Sequence, residues 1–450
     1  MRTMPVTTKI TRRALLRTAA AAATAIPTIV RAQQNRKPPS ERLRLAVIGI
    51  KKQGGFHVDT LLGFDEVDLV AVCDVDTKAR EATRHKIEQH YAKRNRPGQF
   101  TGCDAYNEFE RVLERPDIDA VVIATPDHWH ALIAIAACRA GKDVFCEKPL
   151  SLTIREGRAM VEAARRYARV FQTGTMQRSS AEFRRACELV RNGYIGKLQT
   201  VHVECGEPAR LLEFPAEPIP PGFDYERWLG PAAWAPYSAQ RVGSNYWDGW
   251  RRFRDYSGGK MTDWGAHHFD IVQWGLAMDE SGPAEITPPS PDERKVHAWL
   301  DAAATRKWEG ACADPADPSW GLRYRYANGV EVIKDHTNGV LFVGSEGKIE
   351  VNRGHFRTWP DNLKSVRLTA NDEHLYESNN HHQNFFHCIR TRRKPISDVE
   401  TGLRSATVCH LGNIACWTGR PIRWDPTREE ILNDPQAARM LDRPKRGTYS

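Results

Sequence analysis

The chain predicts an α/β fold that begins with a parallel sheet wound with helices, and three observations carry the prediction. Strand-like and helix-like stretches alternate from residue 43 to about 173, the pattern of strands joined by crossover helices. The first apolar run, Leu45-Ala46-Val47-Ile48, enters a glycine-rich turn, Gly49-Ile50-Lys51-Lys52-Gln53-Gly54-Gly55, ahead of a helix over 56–62. The second strand closes on Asp74, 20 residues after Gly54. Together these form the layout that holds a dinucleotide, its pyrophosphate on the turn and its ribose hydroxyls on the acid.

Gly49 and Gly54 fill the first and third glycine positions of G-x-G-x-x-G, but Lys51 stands in the middle. The middle glycine normally lets backbone approach the pyrophosphate, so the lysine is a departure. Gly49, Ile50, Lys51, Gly54, Gly55 and Asp74 are the expected cofactor contacts. No arginine follows Asp74 immediately, which favours NAD over NADP. A strand at 67–73, a helix at 77–91, a strand at 120–124, a helix at 128–140 and a strand at 143–146 follow. Thr153 and Glu156 form a capping box for a helix through 167, and a strand at 170–173 ends the unit. Two turns, Thr125-Pro126-Asp127-His128-Trp129-His130 and Cys146-Glu147-Lys148-Pro149, sit at carboxyl ends of strands, where open α/β sheets bind ligands.

On those turns the chain resembles the Gfo/Idh/MocA (glucose–fructose oxidoreductase / inositol dehydrogenase) family. Glu147-Lys148-Pro149 matches the family's Glu-Lys-Pro signature, and Thr125, Pro126 and His130 match its Thr-Pro-x-x-x-His element. The resemblance covers about residues 41–450. It implies an N-terminal Rossmann domain followed by a C-terminal α/β domain with a large open, mostly antiparallel sheet. It also implies NAD-dependent chemistry on a sugar, polyol or glycoside. Lys148 would reach nicotinamide and substrate, with Thr125, Pro126, His130 and Glu147 around the cofactor. Members of the family often assemble through the open sheet of the second domain, so the resemblance implies a homo-oligomer.

The Rossmann unit is expected over 41–173, a substrate and oligomerisation domain over 174–375, and closing helices with an extension over 376–450. A helix at 180–192, closed by Gly193, and a strand at 198–204 open the second domain. Residues 205–257 lack periodicity and are rich in aromatics, among them Phe223, Trp228, Tyr246, Trp247 and Trp250. Such rings suit sugar faces, and equally domain packing or a subunit interface. A helix is expected from the Gly258-Gly259 turn to about 274. On it Asp263 and His267, four residues apart, would share a face and hydrogen-bond, the carboxylate fixing the imidazole tautomer. The family resemblance implies that this pair works with Lys148 in catalysis. Gln177, Tyr246, Trp247 and His268 complete the expected substrate contacts, although His268 lies off the shared face and also suits packing. Adjacent histidines diverge on a helix and no H-E-x-x-H occurs, so no metal is expected. Residues 279–319 read as an irregular insertion. Asn328-Gly329 and Gly344-Ser345-Glu346-Gly347 mark two hairpins, and helices are expected at 383–391 and 402–417. The polar tail from 424 reads as a surface extension.

The formal charge of +9 misleads. Six cations and no acids precede residue 33, and without them 59 basic face 56 acidic residues. That excludes a whole-protein charge signal for nucleic acid or an anionic membrane. Residues 1–32 read as a twin-arginine export signal, with Arg12-Arg13, an Ala-rich run and a Val30-Arg31-Ala32 cleavage site. A periplasmic enzyme not bound to a membrane is therefore expected. Ten cysteines show no metal or disulfide spacing. A non-exchanging cofactor would suit the periplasm, including redox-neutral glycoside cleavage of the glycoside hydrolase family 109 kind. A carbohydrate-binding protein that has lost cofactor turnover through Lys51, and a metal-dependent hydrolase, are the alternatives.

Overall fold

The computed structural model describes residues 42–93, 102–243, 248–292 and 317–447. The expected export signal, Tyr246, Trp247 and most of the 279–319 insertion lie outside the described residues. The first sheet comprises β1 (Leu43–Ile48), β2 (Val67–Cys73), β3 (Asp104–Tyr106), β4 (Ala120–Ile123), β5 (Asp143–Cys146) and β6 (Phe171–Thr173). All its neighbours are parallel, in the order β3-β2-β1-β4-β5-β6. Helices α1 (Gln53–Leu62), α2 (Thr77–Lys93), α3 (Phe109–Leu113), α4 (Asp127–Arg139) and α5 (Ile154–Arg166) connect them. Helices on both faces explain why every residue of β2 is buried. The order reverses between β1 and β4, and such a switch point opens a crevice beyond the carboxyl ends of the strands. α1 starts three residues earlier than expected, placing Gly54 and Gly55 in its first turn. Thr153 caps α5 by accepting the Glu156 N–H at 3.2 Å.

The second sheet has nine strands in the order β13-β12-β11-β7-β10-β9-β8-β14-β15. They are β7 (Leu198–Val203), β8 (Glu285–Thr287), β9 (Arg323–Arg325), β10 (Glu331–Lys334), β11 (Val340–Gly344), β12 (Lys348–Asn352), β13 (His355–Trp359), β14 (Ile422–Asp425) and β15 (Glu430–Ile431). Only β7 and β10 pair in parallel. Alternate residues, among them Val201, Val332, Phe342 and Val351, enter a core beneath α6 (Ala181–Arg191) and α8 (Gly265–Gly275). α8 follows a short turn of helix, α7 (Lys260–Asp263).

Two closing helices join the domains. α9 (His381–Thr391) adds Phe385, Phe386 and Ile389 to a core of the parallel sheet. α10 (Val399–Thr418) gives Leu403 and Ala406 to the opposite core of that sheet, and Val408, Leu411 and Ile414 to the second domain.

Three expectations fail here. The helix from 258 to 274 is broken at Trp264, between α7 and α8. The insertion contributes β8 to the open sheet, a strand too short to show period-2 alternation. The tail is no surface extension: Trp424, Ile431, Ala437 and Leu441 are buried, and β14 and β15 extend the sheet. Its apolar residues are spaced too widely to stand out of a polar stretch.

Candidate active site

A cleft, partly open to solvent, lies beyond the carboxyl ends of β1, β2, β4 and β5. Gly49 and Gly54 set its floor. At φ 80°, a Cβ on Gly49 would stand 2.7 Å from the Ala124 carbonyl oxygen, and one on Gly54 would stand 1.8 Å from the Gly49 oxygen. The glycine turn thus interlocks with the end of β4, aiming the amino end of α1 into the cleft through Lys51, Lys52 and Gln53. A helix amino end there suits a pyrophosphate. Asp74, half-buried on the wall, accepts the Ile50 N–H at 3.0 Å and the Asp76 N–H at 2.9 Å, which holds the acid on the loop. These features fit a bound dinucleotide.

Lys51 does not block the loop. Its Nζ turns to Asp76 at 2.6 Å and lies 5.4 Å from the centre of the Phe223 ring. Phe223 belongs to the aromatic segment, which crosses the loop after β2. Thr77 N–H donates to Gly222 O at 2.9 Å and Asp224 N–H to Val75 O at 3.0 Å. Tyr225, Trp228, Tyr237, Trp250, Phe253 and Tyr256 form a core of their own beneath it. Phe223, Trp228 and Trp250 line the cleft. The segment therefore both packs and walls the site. Replacing Lys51 with glycine should hasten loss of dinucleotide on dialysis by up to about fivefold, because a part-exposed ion pair contributes at most about 1 kcal/mol. Unchanged retention would show that the lysine contributes nothing to holding it.

At the other end, β5 delivers Glu147 and Lys148. Lys148 Nζ donates to Asp263 Oδ1 at 2.8 Å and to the Asp263 carbonyl at 2.9 Å. Arg251 Nε stands 3.4 Å from the same carboxylate. Burial would raise the Asp263 pKa, but Lys148 and then Arg251 outweigh it and hold the group below the usual range. Asp263 is thus engaged by Lys148 rather than by His267, because the break at Trp264 removes the shared helical face. His267 is buried with an unpartnered Nδ1. Burial first, then the charges of Lys148, Arg353, His268 and His381, push its pKa well down, leaving a neutral imidazole.

Glu147 collects three donors: His57 Nε2 at 2.8 Å, Gln53 Nε2 at 2.9 Å and the Lys148 N–H at 3.0 Å. Burial alone would raise its pKa; the hydrogen bond and charge of His57, with Lys148 and Gln53, carry it down to about 2. His57 Nδ1 meets His382 Nε2 at 2.9 Å, tying α1 directly to α9. Nothing local in the sequence marks His57, 90 residues from Glu147.

Of the other expected contacts, Gly49, Lys51, Asp74, Thr125, Pro126, Glu147 and Lys148 line the cleft. His130 does not. Its ring nitrogens reach Pro149 O and Thr125 O, both at 2.9 Å, so it clamps the two turns together. Ile50 is buried and Gly55 lies within α1. His268 Nδ1 is held by the Glu204 carbonyl at 2.6 Å, a packing position. Gln177 sits in the turn Met176–Ser179 against α8, buried, with neither amide atom partnered by protein. Asp127, passed over in the sequence, lines the cleft. Among the described residues, no three His, Cys, Asp or Glu side chains group to hold a metal. The nine described cysteines are free thiols.

A switch-point cleft with an interlocked glycine turn, and a lysine held by a carboxylate at its far end, define a dinucleotide-dependent oxidoreductase. Family models agree. "Oxidoreductase family, NAD-binding Rossmann fold" matches residues 43–175, and "Oxidoreductase family, C-terminal alpha/beta domain" matches 209–450. The chain belongs to the Gfo/Idh/MocA oxidoreductase family, and its cofactor is NAD. It is 24% identical over 332 residues to the myo-inositol 2-dehydrogenase of Thermotoga maritima, covering 74% of this chain and 79% of that protein. It is 33% identical over 166 residues to the alpha-N-acetylgalactosaminidase of Shewanella oneidensis, covering 36% of this chain and 34% of that enzyme. The WlbA dehydrogenase of Bordetella pertussis, solved with NADH and UDP-GlcNAcA, shares the fold: TM-score 0.55, 16% identity, 85% of this chain and 99% of that one covered.

Proposed function

We propose that this NAD-dependent oxidoreductase acts on a ring hydroxyl of a sugar, polyol or glycoside. The carrying observation is the Lys148–Asp263 pair beside a buried, neutral His267. An ammonium has three N–H donors. Asp263 takes two from Lys148 and leaves the third for a substrate oxygen. His267, with an unpartnered Nδ1, is a base for a substrate proton. Gln177, with both amide atoms unpartnered, suits a further hydroxyl. Gly49–Gly54 and Asp74 would hold NAD, which would supply the hydride acceptor. The similarity to an inositol dehydrogenase and to a galactosaminidase supports a polyhydroxylated ring as substrate.

The aromatic segment bonded across the loop after β2 favours a cofactor that stays bound through turnover. Bound NAD suits redox-neutral glycoside cleavage and a periplasmic address, reached through the twin-arginine signal read at residues 1–32. The open sheet is the proposed assembly face of a homo-oligomer.

Denaturing the purified protein should release NAD or NADH. Absence of both, with no binding of added NAD, would defeat the proposal. With nucleotide present, incubation with myo-inositol and with an aryl N-acetylgalactosaminide separates the chemistries. Net NADH marks oxidation, and aglycone release without net NADH marks redox-neutral cleavage.

A further inference from the structure

We propose that Asp127 is the acid–base partner of Lys148, taking up the proton that leaves the substrate hydroxyl on oxidation and returning it on reduction. This rests on the oxidoreductase reading above. Asp127 is the first residue of α4, directly after the Thr125-Pro126 turn, and lines the cleft with Lys148 and Arg251. It is 2% exposed, yet its Oδ2 has no partner in the protein, and neither does the neighbouring Thr125 Oγ1.

Glu147 shows what a structural carboxylate in this cleft looks like: three donors and a firmly ionised group. Asp127 is the opposite case. Burial, reinforced by the charge of Asp263, pushes its pKa up to about 7, against the pull of the Ser257 hydroxyl, Arg251 and Lys148. The Cys146 thiol on β5 also feels its charge, and burial keeps that thiol protonated. Two carboxyl groups with widely separated pKa values are the arrangement by which a site divides acid–base roles.

The step balances without a further reactant. As hydride leaves the ring carbon with two electrons, the hydroxyl oxygen, held by the third N–H of Lys148 Nζ, gives its proton to the unpartnered Oδ2 of the Asp127 carboxylate. The products are a carbonyl, a neutral Asp127 acid and an unchanged ammonium. The oxidation releases only this one proton, so His267 is left for the ring C–H proton that a redox-neutral cleavage would remove.

The test uses NAD and NADH as probes on the full-length protein, emptied of its bound nucleotide by prolonged dialysis. Calorimetric titration at pH 7 in phosphate and in Tris buffer counts the protons released. The positive nicotinamide of NAD should expel roughly half a proton per site, because a group with a pKa of about 7 is half protonated there. NADH should expel none. Asp127→Asn should abolish the difference and Asp127→Glu should restore it. Equal release from wild type and Asp127→Asn, or none from wild type, would overturn the proposal. Failure of either protein to bind any dinucleotide would overturn the oxidoreductase reading itself. With substrate, Asp127→Asn should lower turnover about 100-fold and erase the limb of the pH profile near neutrality, with bound nucleotide unchanged. Wild-type turnover in that variant would equally overturn it.

Discussion

Lys148→Ala is expected to reduce turnover by about a thousandfold or more while leaving the bound dinucleotide in place. Nζ is the donor that the geometry aims at the substrate oxygen, and losing such a donor from a water-poor site costs on the order of 100- to 1000-fold. Losing the donor also releases the hydroxyl from its base, and that adds to the loss. The glycine turn makes no contact through the Lys148 side chain, so nucleotide content should hold. Lys148→Arg should not rescue, because a planar guanidinium cannot place one N–H where a rotating ammonium does. The checks are turnover on the substrate identified by the incubations above and nucleotide released on denaturation. Turnover within tenfold of wild type would remove Lys148 from the chemistry.

Arg178→Leu should destabilise the protein by about 3–5 kcal/mol, the usual cost of leaving a buried partner charge uncompensated. Arg178 is 2% exposed. Its Nε donates to Asp270 Oδ2 at 2.7 Å, and Nη2 and Nη1 reach Asp279 at 2.6 and 3.1 Å. The guanidinium also lies 5.0 Å from a Trp274 ring centre. Asp270 sits one turn beyond His267 on α8 and accepts from Ser405 Oγ at 2.7 Å, so this network holds the helix that carries the imidazole. Burial already raises the Asp270 pKa with Arg178 present. Without Arg178 it rises further, so the folded variant keeps a proton that the unfolded chain gives up. Its deficit should therefore grow as pH rises above the ordinary carboxylate range. Denaturant unfolding at pH 5 and pH 8 measures this, and an equal deficit at both would contradict it. Adding Asp270→Asn should recover part of the loss, as coupled neighbours do.

Much of the fold was legible because its signals are local. β2 and β5 fall at 67–73 and 143–146, as read from contiguous apolar runs, and Thr153 caps α5 as its spacing with Glu156 implies. Asn328-Gly329 turns between β9 and β10, with Gly329 at φ 86°, for the same reason. β3 and β8, at three residues each, were too short to carry periodicity. The family matches confirm the recognition that rested on Glu147-Lys148-Pro149 and Thr125-Pro126.

By itself, then, the sequence determined the wound parallel sheet, the glycine turn, the family and the lysine at the end of β5. Each is written within a few consecutive residues, where strand period, turn chemistry and spacing act. Only the tertiary structure decided which charges meet. It sent Lys51 to Asp76, gave Asp263 to Lys148 instead of His267, and brought His57 to Glu147 with His382 behind it. It also built the tail into the open sheet and its core and left Asp127 with an unpartnered oxygen in the cleft. Those outcomes depend on groups tens to hundreds of residues apart, and a carboxylate's partners and proton affinity are set by what surrounds it in space.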